Sequence, residues 1–235
     1  MQEKIRINKF LSQSGVCSRR EADKLIELGK VIINGILADK GTKVDENDEV
    51  IVNGKTVTAI ETKVVIAYNK PIGTTCTHKD EHAKRTIFED INYPIQLNYA
   101  GRLDKDSHGL LLLTNDGDLI QNLMRSKNNH EKEYRVRVNR KITDDFINKM
   151  SNGIYINELK VMTKKCSVWQ IDDNIFGIIL TQGLNRQIRR MCMECDYMVA
   201  DLQRVRIKNI KLGEIELGHY EEIKGTQLEK LYENL

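Results

Sequence analysis

Gly101-Arg102-Leu103-Asp104-Lys105-Asp106-Ser107-His108-Gly109-Leu110-Leu111-Leu112-Leu113-Thr114-Asn115-Asp116-Gly117 is a charged loop that runs straight into an apolar stretch. Leu110 to Thr114 reads as a buried strand, and Asn115-Asp116-Gly117 as the turn that releases a helix over Asp118 to Arg125. A carboxylate at the mouth of a buried strand, with an arginine two residues away, is held ionised in a partly dry site. A nucleophile or general base requires that setting. Asp104 and Arg102 stand in this relation. Asp104, Asp106 and Gly109 also fall at the first, third and sixth positions of a calcium loop. His108 at the fifth position and Asn115 at the twelfth, where a bidentate Glu is needed, exclude that assignment. The Arg-Leu-Asp tripeptide alone would pass for a surface ion pair at a turn.

Upstream of the loop, Val64 to Tyr68 predicts a strand that ends at Lys70-Pro71. Downstream, Tyr134, Val136 and Val138 alternate with Arg135, Arg137 and Asn139, the pattern of a half-buried strand. Thr143 opens a helix through Met150, and strands are expected at Val161 to Trp169, Gly177 to Thr181 and Leu202 to Ile210. A helix from Asn185 to about Tyr197 carries Ile188, Met191, Cys192 and Cys195 on one face.

The first sixty residues form a unit of their own. Ile7, Phe10 and Leu11 have helical spacing and run into Gly15. Ser18-Arg19-Arg20-Glu21 fits a capping box, with Ala22, Leu25 and Ile26 on one face and Gly29 as the stop. Val31-Ile32-Ile33, Asn34-Gly35, Ile36-Leu37 reads as strand, tight turn, strand, and a second Asn-Gly follows at Asn53-Gly54. Two short helices with three or four strands make a very small domain, and the boundary is placed at residues 58–63, giving domains 1–60 and 61–235. No internal repeat or low-complexity tract interrupts either part.

The 235 residues carry 37 Lys+Arg against 34 Asp+Glu, a formal net charge of +3, with 40% hydrophobic and 30% charged residues. That is ordinary globular composition, enough for a real core. No apolar run approaches the ~20 residues of a membrane span, and Met1 to Lys9 has no apolar core of a secretory signal. Five cysteines, an odd number, suggest a reducing cytoplasm rather than a disulfide framework. The near-neutral balance conceals segregation. Met124 to Lys141 holds seven basic and two acidic residues, a local +5. Leu184 to Lys211 holds seven against three, a local +4, and Gly213 to Leu235 two against six, a local −4. A charge run is ordinarily a solvated face. Here Arg135 and Arg137 share one strand face, and Arg204, Arg206 and Lys208 another, so each pattern predicts a stripe suited to a nucleic-acid backbone.

The Gly101 to Gly117 segment resembles the catalytic motif of the pseudouridine synthases, in the branch that includes RsuA, RluB, RluE and RluF. Three further motifs of that family recur in order: Asn69-Lys70-Pro71-Ile72-Gly73, His130-Glu131-Lys132-Glu133-Tyr134 and Gly183-Leu184-Asn185-Arg186-Gln187-Ile188-Arg189-Arg190-Met191. The N-terminal pattern Arg6-Ile7-Asn8-Lys9-Phe10-Leu11, Ser18-Arg19-Arg20-Glu21-Ala22 and Val31-Ile32-Ile33-Asn34-Gly35 is similar to the S4 RNA-binding domain. Together the resemblances cover nearly the whole chain. Within the branch, Lys105-Asp106-Ser107, His130 to Tyr134 and Thr181 to Cys192 are most similar to the RluF type.

The resemblance implies an α+β fold: a small S4-type α/β domain, then a catalytic domain with a mixed, largely antiparallel central sheet flanked by helices. It implies that Asp104 is the catalytic carboxylate, that the basic partner of Asp104 is Arg189, that Tyr134 stacks on the target base and that Arg102 helps displace it. Lys9, Arg19, Arg20, Lys24, Lys70, Lys132, Arg135, Arg137, Arg186, Arg190, Arg204 and Arg206 are the candidate RNA-binding cations. No cofactor or metal is implied. The expected partner is large-subunit ribosomal RNA of the 23S type, with an anticodon uridine of tyrosine tRNA as a second possible target, for a cytoplasmic monomer with no membrane contact. A sibling synthase acting on another ribosomal uridine, and a non-catalytic S4-type RNA-binding or ribosome-assembly factor, share the same pattern in part. The second has no need of a carboxylate in a phosphate-lined cleft.

Cys192-x-x-Cys195 lacks the second pair a structural zinc site needs, so core-facing thiols are expected. His78 and His82 are four apart but in a polar loop without a helical Glu. Tyr99, Trp169, Phe176 and Tyr197 are expected in the core. For Tyr134 a core position stays open beside the stacking one, because Val136 and Val138 share its face.

Overall fold

The computed structural model describes residues 4–58, 62–77, 85–125 and 128–233. Its contacts divide the chain into two units. The first comprises Met1–Val64 with Tyr93–Asn98 and Thr114–Gly117, and the second the remainder. Residues 59–61, within the boundary expected from the sequence, lie outside the described residues.

In the first unit β1 (Ile5–Arg6) leads directly into α1 (Ile7–Gln13), and α2 (Arg19–Glu27) follows. The capping box at Ser18 is formed: Glu21 N donates to Ser18 Oγ at 3.3 Å, and Ser18 N to Glu21 Oε2 at 3.0 Å. β2 (Val31–Ile33) and β3 (Ile36–Leu37) meet through Asn34 and Gly35, both at positive φ (49° and 80°), the backbone of a primed hairpin turn. β4 (Lys43–Val44), β5 (Val50–Val52) and β6 (Lys55–Val57) complete the unit. The sheet order is β3-β2-β5-β6, and β4 pairs with β1, a two-residue ladder that no periodicity announced. Ile7, Leu11, Ala22, Val31, Val44 and Val50 have no exposed surface, so the helices close over one face of the strands.

The second unit opens with β7 (Val65–Lys70), α3 (Ile87–Asp90), β8 (Asn98–Tyr99), β9 (His108–Thr114) and α4 (Gly117–Met124). β10 (Lys132–Val138), α5 (Asp144–Asn152), β11 (Tyr155–Ile156), β12 (Val161–Met162), β13 (Ser167–Asp172) and β14 (Ile175–Leu180) follow. α6 (Gln187–Met193), β15 (Val199–Ile207), β16 (Ile210–Lys211), β17 (Tyr220–Glu222) and α7 (Gly225–Tyr232) end the chain. The central sheet runs β13-β14-β10-β15-β9-β7-β17, mixed and largely antiparallel; β9 and β15 are its parallel pair. Leu110 to Leu113 are all 0% exposed, which explains an unbroken apolar run in a strand covered on both faces. One core gathers Val136, Val138, Phe146, Phe176, Ile178, Ile188 and Met191, joining α5 and α6 to the sheet. Another gathers Val65, Leu110, Leu112, Leu119, Ile207 and Leu231, joining α4 and α7.

Four expectations need correction. The strand expected over Val161 to Trp169 breaks at 163–166, because Thr163 N donates to Ile154 O and Cys166 N to Ser151 O, each at 3.0 Å, instead of to a sheet neighbour. The strand expected over Leu202 to Ile210 starts earlier, at Val199, and folds back at Lys208 (φ 49°) into the β15–β16 hairpin. The helix expected over Asn185 to Tyr197 is shorter. Arg186 is left-handed at its start (φ 49°), Asp196 left-handed past its end (φ 62°), and Tyr197 N closes on Cys192 O at 2.9 Å. Phe176 and Tyr197 are core as expected, but Trp169 is 37% exposed and lies over Gly177, where a Cβ would stand 2.2 Å from its ring.

Candidate active site

The loop from Gly101 to Ser107 is held from beneath by Lys70, at the end of β7 and 0% exposed. Its Nζ donates to the carbonyls of Pro71 at 2.9 Å, Asp104 at 3.1 Å and Ser107 at 2.8 Å, so it ties the loop backbone from Asp104 to Ser107 to the end of β7. Burial pushes this ammonium down to about 8. Gly73 N donates to Lys105 O at 2.8 Å and Ser107 N to Asp104 O at 3.1 Å. The Cys76 thiol donates to Leu103 O at 3.4 Å. This replaces the expectation that Lys70 meets RNA: a fully buried amine saturated by carbonyls is a support for the loop.

Above the loop lies a cavity of about 670 Å³, within the second unit. Its lining comes from stretches far apart in sequence: Thr75 to Thr77, Tyr99, Gly101 to Lys105 and Ser107, Met124 with Arg125, Lys132 with Tyr134, Leu180 to Arg189, and Leu202 with Arg204. The sequence-predicted residues Arg102, Asp104, Tyr134, Lys132, Arg186, Arg189 and Arg204 all face it. Arg102 is exposed at the rim and Tyr134 half-buried.

The pairing of the arginines differs from expectation. Arg189 meets Asp106 and Ser107: its Nη2 donates to Asp106 O at 2.7 Å and to Ser107 Oγ at 3.1 Å. Its Nε lies 3.3 Å from Asp106 Oδ2 without hydrogen-bond alignment. The arginine beside Asp104 is Arg186, whose Nη1 stands 3.8 Å from Asp104 Oδ2 while its fork holds Asp106 at 3.1 and 2.8 Å. The physical reason is backbone conformation. Arg186 is left-handed (φ 49°, ψ 36°) at the start of α6, one turn ahead of Arg189 and on the loop side. The bidentate Arg186 bonds, with Arg189 adding charge, hold the Asp106 carboxyl below the usual carboxylate range.

The remaining cations separate into two groups. Arg204 is 2% exposed, with Nε donating to Leu110 O at 2.7 Å. Arg206 is taken by Glu133 at 2.7 Å and Glu131 at 3.0 Å, and Lys208 Nζ by the carbonyls of Leu231 and Glu233 at 2.9 and 2.7 Å. The stripe expected on this strand is therefore not presented to a phosphate backbone. Arg190 is also engaged, by Asn185 and Glu158. Arg135, Arg137, Arg19, Arg20 and Lys24 are exposed and Lys9 half-buried. Cys192 is fully buried and Cys195 packs on the same core. His78 and His82 lie outside the described residues.

Sequence reasoning passed over Asp106 as the clamp for both arginines, and over Tyr99, which lines the cavity instead of the core. Asp106 was visible in a rejected calcium pattern and in the Lys105-Asp106-Ser107 resemblance, and neither marks it as a clamp. Its partners are 80 or more residues away.

Residues 64–194 match the family model described as RNA pseudouridylate synthase, and residues 5–50 match the S4 domain. The chain is 45% identical over 230 residues to the dual-specificity RNA pseudouridine synthase RluF of Escherichia coli strain K12, covering 97% of this chain and 78% of that protein. It is 35% identical over 234 residues to an RNA pseudouridine synthase of Rickettsia typhi, covering 97% and 96%. A crystal structure of a pseudouridylate synthase superposes with a TM-score of 0.71 at 29% identity, over 97% of this chain and 99% of the other.

Proposed function

The chain belongs to the RNA pseudouridylate synthase family, carrying an S4 domain, and on that premise we propose that Asp104 is its catalytic carboxylate and 23S-type ribosomal RNA its substrate. The reaction class is isomerisation of uridine to pseudouridine in RNA. The observation that carries the site assignment is the convergence of Asp104, Arg102, Tyr134 and Arg186 from separate stretches of chain on one cavity. A second substrate, tyrosine tRNA at an anticodon uridine, is part of the proposal; its support is the similarity to a synthase named as dual-specificity.

Pseudouridylation breaks the C1′–N1 bond, turns the base and rejoins it through C5. A uridine flipped from its stack costs a few kcal/mol, and Arg102 at the rim is placed to fill the space it leaves. The base enters the cavity and stacks on Tyr134. Asp104 acts at C1′, by attack or by assisting loss of the base. Its backbone is immobilised by Lys70 and its side chain faces Arg186. The exposed Arg135 and Arg137, with Arg19, Arg20, Lys24 and Lys9 of the S4 domain, supply phosphate contacts that position RNA without reading sequence. We place the protein in the cytoplasm as a monomer. Among the described residues no helix is long and apolar enough to cross a membrane.

Asp104→Asn tests the assignment. It is nearly isosteric and leaves the backbone contacts of the loop in place, so product formation should fall to background while RNA affinity stays within about twofold. Normal turnover by this variant would remove Asp104 from its role.

A further inference from the structure

When the C1′–N1 bond of uridine breaks, the bonding pair leaves with the base, and negative charge spreads over N1, O2 and O4 of the ring. Fixed positive charge at that place lowers the barrier most when it is already oriented and dry. Two cations of the cavity have no counter-charge among the described residues: Arg204, which is buried, and Lys132, which is half-buried. Arg204 on β15 is 2% exposed; Nε is bound to Leu110 O and Nη1 lies 3.5 Å from Arg102 O, but Nη2 is buried with no partner among the described residues. Lys132 on β10 reaches, among the described residues, His130 O alone, at 3.5 Å. Burial, and then the charge of Arg204, push its ammonium down to about 8.

Neighbouring cations are treated differently. Lys70 is saturated by three carbonyls, Arg206 by two glutamates, and Arg186 by Asp106. Leaving the buried guanidinium of Arg204 without a partner is unfavourable, and that arrangement points to an anion brought by the substrate. A backbone phosphate is carried between two sugars and is met at a rim. A guanidinium that lines the cavity and is 2% exposed is reached by a flat ring inserted into it. Arg204 is also the cross-strand partner of Tyr134 on β10, so a ring stacked on that tyrosine comes to lie against it.

We propose that Arg204 and Lys132 are catalytic residues that stabilise the negative charge of the detached uracil ring. The inference rests on the reading of Asp104 as the group acting at C1′. The C1′–N1 bond breaks with its electron pair going to N1, the ring turns between the two cations, and C5 bonds to C1′. The C5 proton is then lost and one proton is taken up at N1, so the product is an isomer and nothing is oxidised or reduced. Arg204 and Lys132 stay protonated throughout.

The test compares single-turnover rates on the ribosomal or tRNA transcript that the wild-type protein converts, made with either uridine or 5-fluorouridine at the target. The fluorinated ring carries negative charge more readily and needs less help. Lys132→Met and Arg204→Gln should slow uridine conversion by about 100-fold, with RNA affinity within twofold. Consumption of 5-fluorouridine should slow by less than about tenfold, and Lys132→Arg should restore much of the rate. Arg204→Gln also loses the bond to Leu110, so thermal melting accompanies it, and Lys132→Met, which gives up a single long contact, carries the test alone if Arg204→Gln is unfolded. Equal slowing with both nucleosides would overturn the proposal. So would weaker RNA binding with a reduced salt dependence, which would make these cations phosphate contacts. Asp104→Asn, run alongside, judges the carboxylate assignment separately by whether uridine turnover survives.

Discussion

Gly109 sets how closely β9 can approach β15. Its φ is +101°, and a Cβ there would stand 2.4 Å from Arg204 O and 2.9 Å from Arg204 N, both rigid backbone atoms. Gly109→Ala should therefore cost about 3 kcal/mol or more of stability, from strain and clash together. Denaturant titration reads that cost, and a change under about 1 kcal/mol would contradict it. Lys132 makes a prediction of opposite signs for stability and activity. Its folded-state pKa of about 8 lies below the ordinary lysine value, so below pH 8 both folded and unfolded chains are protonated and burial is fully unfavourable. Between about pH 8 and the unfolded pKa the folded chain sheds a proton that the unfolded chain keeps, and stability contributed by this group rises. Lys132→Met should thus stabilise more at pH 7 than at pH 9.5. Wild-type conversion should fall as pH passes 8, because the charge is lost. At this scale the place of Asp104 on the cavity was legible, since it belongs to a local motif. The partner exchange between Arg189 and Arg186 was not, because a left-handed backbone at Arg186 is imposed by its surroundings and leaves no mark in residue spacing.

Elements with their own punctuation were readable. Ser18 and Glu21 announce α2, Asn34-Gly35 and Asn53-Gly54 announce their hairpins, and Thr143 caps α5 by accepting from Phe146 N at 3.2 Å. Elements finished by distant groups were not readable. α7 has no side-chain cap at its start, and its last carbonyls are met by Lys208, which donates to Leu231 O and Glu233 O from the β15–β16 turn. Lys208 was counted in a phosphate stripe because alternation in sequence cannot reveal a helix that arrives some twenty residues later. Lys208→Met should leave both carbonyls unpaired and destabilise by about 1–2 kcal/mol. The loss should appear in hydrogen exchange of α7 amides ahead of the rest of the sheet, and unchanged exchange there would contradict the capping role. The break at 163–166 has the same origin, since its backbone partners, Ser151 and Ile154, lie on the segment that ends α5 and follows it.

For the whole molecule, a net charge of +3 gave no hint of nucleic acid, whereas the segment sums did. The structure refines those sums. Within the basic stretch 184–211, Arg186, Arg189, Arg190, Arg206 and Lys208 are engaged by protein groups and Arg204 is buried. Lys211 of that stretch is exposed, and of the candidate RNA-contacting cations those exposed and outside this network are Arg135 and Arg137 on β10 and Arg19, Arg20 and Lys24 of the N-terminal unit. Basic charge in this chain thus serves two ends, holding the cavity together and meeting RNA, and composition alone cannot separate them. Mapping pseudouridine in ribosomal RNA and tRNA from cells that carry the gene, lack it, or carry only Asp104→Asn tests the account most directly. It predicts one 23S-type ribosomal uridine, with an anticodon uridine of tyrosine tRNA, modified in the first cells and left as uridine in the other two. Full modification in cells that lack the gene, or in cells with only Asp104→Asn, would contradict it.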